Sequence, residues 1–178
     1  MRVIYAFLAL VFAGFVISCA TGGIYGVEYD FDSDVDFVYL STYDWLPVPE
    51  KAGIDSLTIN RVKKAVNAGL QAKDLRMTSN NPDFLIAVHL GSKDKVDVKN
   101  WGYRRSYRGT NRVVTYQYEQ GSLILDFVDA KSKNLIWMGA AKVDIYNALT
   151  PEEREKLINE AVQKILRNFP PPSQKGVE

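Results

Sequence analysis

Cysteine and histidine are almost absent from this sequence, which contains Cys19 and His89 and no other residue of either kind. A single thiol closes no internal disulfide, so stability must come from packing. A single imidazole builds no histidine-based metal site, because such a site needs three or four converging ligands. Neither a Gly-x-Ser-x-Gly nor a His-Glu-x-x-His element occurs, which removes the common signatures of serine and zinc hydrolases. Net charge is lacking as well: Lys+Arg 22 against Asp+Glu 21 gives a formal +1, so no global field draws the chain to nucleic acid or acidic polymers. A long apolar run is also missing. The stretch from Val3 to Phe15 is shorter than the roughly 20 residues of a spanning helix and breaks into Thr21-Gly22-Gly23.

What is present begins with that short run. Arg2 precedes it and Val16-Ile17-Ser18-Cys19 follows directly, the layout of a bacterial secretory signal over residues 1–18. These four residues resemble a lipobox, in which the cysteine receives diacylglycerol and becomes the first residue of the mature chain. The alternative is an ordinary small-x-small cleavage site that discards the cysteine with the signal. On the lipobox reading Cys19 is the lipidation site and residues 19–26 are a tether. The seven residues from Ala20 to Gly26 reach at most about 25 Å. Ala20, in place of Asp after the cysteine, implies sorting to the outer membrane, facing the periplasm. Loss of residues 1–18 removes Arg2 and leaves Lys+Arg 21 against Asp+Glu 21.

The remainder, 178 residues less the signal and 47% hydrophobic overall, suits one domain, expected over 27–172 with a polar tail at 173–178. Val27, Tyr29 and Phe31 alternate with acidic residues, and 37–46 is rich in β-branched and aromatic side chains. Both read as strands, joined through Asp32-Ser33-Asp34. From Asp55 or Ser56 the period becomes helical, with Ile59, Val62, Val66 and Leu70 on one stripe. Strand patterns return at Phe84 to Leu90, at Val114 to Tyr118, at Leu123 to Phe127, and from Leu135 to Val143. Thr150-Pro151-Glu152-Glu153 supplies an N-cap, a first-turn proline and a capping-box glutamate. Ile158, Ala161, Ile165 and Phe169 form the buried stripe of that second helix. The order predicts an α+β fold, an antiparallel sheet with both helices on one face.

Four ordered blocks, "YDFDSDVDFVYLSTYDWLP", "NPDFLIAVHLGSKDKVDVKNWGY", "YEQGSLILDFVDAKSKNLIWMGAA" and "TPEEREKLINEAVQKILRNFPP", resemble a family of bacterial lipoproteins defined only as a domain of unknown function, four-one-three-six. The resemblance implies an envelope lipoprotein and supplies no catalytic residue or ligand. Ala72-Lys73-Asp74-Leu75 departs from it, since glycine is usual after that helix.

Several groups invite chemistry. Asp30, Asp32, Asp34 and Asp36 alternate, but a calcium loop starting at Asp30 needs glycine where Val35 stands and glutamate where Ser41 stands, so turn carboxylates are expected and no metal. His89 lies mid-strand and reads as structural. Asp126 interrupts an apolar strand on the face of Ile124 and Val128 and is expected to pair with Lys142 or a nearby arginine. The stretch 100–112 collects Trp101, Tyr103 and Tyr107 with Arg104, Arg105, Arg108 and Arg112 and has no acidic residue. Guanidinium forks beside aromatic faces hold phosphate or carboxylate groups. Export excludes nucleic acid as their partner, leaving anionic lipid, lipopolysaccharide or an envelope protein, or a loop with merely solvated arginines. The expectation is a non-catalytic binding or structural module, without cofactor, attached to the membrane through its lipid. The alternative is an envelope hydrolase using a carboxylate pair.

Overall fold

A computed structural model describes residues 24–49, 55–91, 121–143, 145, 148 and 150–172. Its strands are β1 (Tyr25–Phe31), β2 (Thr42–Trp45), β3 (Arg76–Met77), β4 (Phe84–Leu90), β5 (Ser122–Asp129) and β6 (Leu135–Lys142). Its helices are α1 (Ser56–Gln71) and α2 (Pro151–Leu166). The strands form one sheet in the order β1-β6-β5-β4-β2-β3. The fold is α+β with the two helices packed together, as the sequence order implies.

The sheet is mixed, which the alternation of residues does not reveal. Along β1, β6, β5 and β4 each strand is antiparallel to its neighbour, whereas β2 runs parallel to both β4 and β3. Parallel neighbours need a crossover, and α1 supplies it between β2 and β4. The expected unit of two strands joined at Asp32-Ser33-Asp34 is therefore not a hairpin. β1 and β2 lie on different sides of the sheet, separated by β6, β5 and β4. The stretch 37–46 also divides. The Asp36 carboxylate accepts from Val38 N–H (3.3 Å) and caps a short 3-10 helix, Phe37–Tyr39, so only Thr42–Trp45 remains extended. Phe37 is buried there, against Phe31 and Phe169. The strand expected at Val114 to Tyr118 lies outside the described residues.

Both helices begin as their sequences require. Asp55 caps α1 by accepting from Thr58 N–H (2.8 Å). Thr150 and Glu153 close a reciprocal capping box on α2, with Pro151 in the first turn. The stripe of Ile59, Val62, Val66 and Leu70 on α1 faces that of Ile158, Ala161, Val162 and Ile165 on α2 and the sheet below. Close approach is possible because Gly69 has no side chain: a Cβ there would stand 2.7 Å from Leu166 Cδ1. Gly139 likewise leaves room for the Trp137 ring and Ile165.

The end of α1, where glycine was missing from the sequence, is a Schellman turn. Leu75 N–H donates to the Leu70 carbonyl (3.1 Å) and Asp74 N–H to that of Gln71 (3.0 Å). Asp74 occupies the left-handed position at φ 64. Aspartate tolerates this conformation at a cost that glycine avoids. Asp74→Gly should therefore stabilise the protein by about 0.5–1 kcal/mol. Chemical denaturation checks the sign, and a fall in the midpoint contradicts the assignment.

β2 is fastened to β4 by Asp83. One carboxylate oxygen, Oδ2, accepts from Ser41 N–H (3.0 Å), Ser41 Oγ (3.3 Å), Thr42 N–H (2.8 Å) and Thr42 Oγ1 (2.7 Å). Partial burial pushes the Asp83 pKa upward, but the donors on Ser41 and Thr42 outweigh it and hold it below the ordinary value. A depressed folded pKa contributes stability above the unfolded value and loses it as pH falls through the folded one. Stability should thus decline from about pH 5 downward, and Asp83→Asn should flatten that decline. Urea midpoints at pH 7 and in acid test it.

Candidate functional site

The one close pairing of ionisable side chains in the described sheet interior joins β4 to β5. In their antiparallel register His89 stands opposite Ile124 and Ala87 opposite Asp126, which puts His89 and Asp126 on a diagonal of the same face. His89 Nε2 lies 3.2 Å from Asp126 Oδ2, and both side chains are 0% exposed. Ser122 shares this face of β5 and is also buried; its register partner is Lys142 on β6. Around the pair lie Ile124, Val128, Leu135 and Met138, a second apolar cluster on the side of the sheet away from the helices.

This geometry bears on two of the readings taken from sequence. His89 has a carboxylate mate, which its isolation in the sequence concealed. Asp126 meets that imidazole. Its neighbour in register on β6 is Met138, while Lys142 lies farther along opposite Ser122. A carboxylate against a histidine nitrogen fixes the ring and suits either a hydrogen bond or, with a protonated ring, an ion pair. Both side chains are fully buried, and their contact spans the β4–β5 pairing.

The alternating aspartates are engaged with backbone. Asp30 accepts from Phe31 N–H (2.9 Å), Asp32 from Asp34 N–H (3.0 Å) and Asp36 from Val38 N–H. Asp32 and Asp36 thus serve turns, as expected from the sequence, whereas Asp30 sits within β1 and accepts from the amide of the following strand residue. Among the described residues no group of three or more His, Cys, Asp or Glu side chains is placed to hold a metal ion. No described helix is long and apolar enough to cross a membrane.

Cys19 and the stretch holding Trp101, Tyr103, Arg104, Arg105, Tyr107, Arg108 and Arg112 lie outside the described residues. The points where the chain leaves and re-enters the sheet around that stretch are described. Gly91 N–H donates to the Ser122 carbonyl (2.8 Å) and Gly121 N–H to the Gly91 carbonyl (3.0 Å). Ser122 is level with Lys142, and Lys142 with Tyr25 at the start of β1. The neck at Gly91 and Gly121 and the N-terminal entry of the chain are thus at one end of the sheet. With strands about 4.8 Å apart, three steps separate β1 from β4 by about 14 Å.

A six-stranded mixed sheet with two helices on one face and a buried histidine–aspartate pair on the other defines a class of domain and no reaction. Residues 27–171 match the family described as "Domain of unknown function (DUF4136)", and the chain belongs to that family. No curated protein matches the sequence. Among solved structures, a PDZ domain protein from Parabacteroides distasonis is similar over 83% of this chain, with 14% sequence identity and a TM-score of 0.55. This chain covers 36% of that protein, and the likeness concerns the fold alone. A PelC dodecamer from Paraburkholderia phytofirmans is similar over 79% of this chain and 98% of its own, at 8% identity and a TM-score of 0.42.

Proposed function

We propose that this protein is a lipid-anchored module of the bacterial envelope that binds and does not catalyse. Cys19 carries the anchor at the outer membrane, on the periplasmic side. The segment 100–112 meets the anionic surface of that membrane, phospholipid or lipopolysaccharide, through Arg104, Arg105, Arg108 and Arg112 beside Trp101, Tyr103 and Tyr107. The observation that supports this reading is the shared end of the sheet: the tether enters at Tyr25, in the same row as Lys142 and Ser122, and the neck of the basic segment closes at Gly91 at that same end, about 14 Å away. A tether of at most about 25 Å keeps that end toward the bilayer. Arginines then meet phosphates while the rings sit at headgroup level. Burial of the His89–Asp126 pair supports binding over hydrolysis.

The test uses the Cys19→Ser chain, which should stay unacylated by intact mass and leave the membrane fraction. Its residual affinity is measured by co-sedimentation with phosphatidylglycerol, lipopolysaccharide-containing and phosphatidylcholine vesicles. Each arginine near an anionic surface is worth about 1 kcal/mol, so replacing Arg104, Arg105 and Arg108 by alanine should weaken anionic binding about 100-fold at low salt. Equal binding to anionic and neutral vesicles by the intact segment rejects the anionic surface as partner. A native N-terminus beginning after Ala20 without acylation rejects the anchor.

A further inference from the structure

The two ends of the described sheet carry the same three-residue pattern, Tyr29-Asp30-Phe31 in β1 and Tyr43-Asp44-Trp45 in β2, and in both the aspartate does the same thing. Phe31 N–H donates to Asp30 Oδ1 at 2.9 Å, and Trp45 N–H to Asp44 Oδ1 at 2.8 Å. The direction of these amides follows from their neighbours. In β1, Asp32 N–H donates to the Ile136 carbonyl, so the even-numbered residues face β6 and Phe31 N–H points away from it. Among the described residues β1 is the edge on that side. In β2, Leu46 N–H donates to the Ile86 carbonyl on β4, while the Tyr43 carbonyl accepts from Thr78 N–H at the far end of β3. Trp45 N–H therefore points toward the β3 side, beyond the point where β3, only Arg76–Met77, stops pairing.

An outward N–H on an edge strand is a template for another strand. Here the Phe31 and Trp45 amides are each engaged by the carboxylate of the preceding residue, and an incoming carbonyl would have to displace a charge-assisted bond and approach a negative charge. We infer that Asp30 and Asp44 are edge guards that keep a second copy of this chain from adding its own edge strand to the sheet. For a protein concentrated on a membrane surface, self-pairing is the hazard such guards oppose, and the matching tripeptides place one on each side.

The full chain in mild detergent, with the micelle density-matched, should sediment as a monomer over a wide concentration range. Replacing both guards by valine, Asp30→Val with Asp44→Val, removes acceptor and charge together and should give concentration-dependent association, with the mass at least doubling. The pair Asp30→Asn with Asp44→Asn keeps the Oδ1 acceptor, and Asp34→Val removes a carboxylate from the turn only; both should remain monomeric. A folded double-valine protein that stays monomeric overturns the inference. So does equal association of the valine and asparagine pairs, which would assign the effect to charge and not to the engaged amide. Should the valine pair fail to fold, hydrogen exchange of the wild-type protein decides: the Phe31 and Trp45 amides should exchange more slowly than the outward-facing Tyr29 amide, and equal rates refute the guards.

Discussion

Alanine at position 126 is expected to lower the stability of the protein by about 3 kcal/mol, with loss of cooperativity at the β4–β5 seam. Asp126 is fully buried, and its Oδ2 faces His89 Nε2 at 3.2 Å. Removing the carboxylate takes that acceptor from a buried imidazole beside the apolar cluster of Ile124, Val128, Leu135 and Met138. Truncating one member of a buried polar pair costs more than replacing both by apolar residues of similar shape, because desolvation of the survivor is no longer offset. Asp126→Asn, which retains an acceptor oxygen, should cost less than Asp126→Ala. The double replacement of His89 and Asp126 by leucine should cost less than the two single changes summed. Urea midpoints for this cycle test the pairing, and strict additivity would show that the two side chains act independently.

The other large effect is expected at Phe169, just beyond the end of α2. Its ring meets four others: Phe127 at 4.7 Å between centroids, Trp137 at 5.3 Å, Phe84 at 5.9 Å and Phe37 at 6.0 Å. The contacts with Phe127, Phe37 and Trp137 are edge-on, the arrangement that aromatic quadrupoles favour. Phe169→Ala should cost about 3–5 kcal/mol through lost burial and the cavity left behind. For a domain of this size the melting temperature falls by about 10 °C. Phe169→Leu, which fills most of the volume, should recover the larger part. A melting temperature unmoved by the alanine change would mean that the segment after α2 is not docked in the core.

Helices and inner strands were legible in the sequence because each carries one strong signal. The 3.6-residue stripe from Ile59 to Leu70 and the capping box at Thr150 fix α1 and α2, and the apolar alternation in Phe84 to Leu90 and Leu123 to Phe127 fixes β4 and β5. The stretch 37–46 misled because high β-propensity gives no hint that Asp36 will turn the chain and Phe37 will be drawn inward; tertiary burial decided there. β3 was missed because two residues paired by Ser41 and Tyr43 carry no periodicity. The site was half legible. His89 and Asp126 each stand out as ionisable residues inside apolar strands. Their meeting depends on the β4–β5 register, which relates residues 37 apart in the chain. The signal that could have joined them is parity: in two neighbouring antiparallel strands, His89 and Asp126 each interrupt the apolar run on the face opposite the main core.

The pairing of β1 with β6 has a consequence for how the chain folds. Tyr25 and Lys142 are register partners although more than a hundred residues lie between them, and β5 is flanked by β6, which follows it in the chain, and by β4, which precedes it. Such long-range closure makes folding slow compared with domains built from local contacts, because loop-closure entropy is lost before the pairing enthalpy is gained. A chain emerging N-terminus first holds β1 without its partner until nearly the whole of β6 has followed. The strand nearest the N-terminus is thus the last to be locked in place, and a chain truncated before Leu135 leaves β1 without its described partner strand and β5 with an empty side.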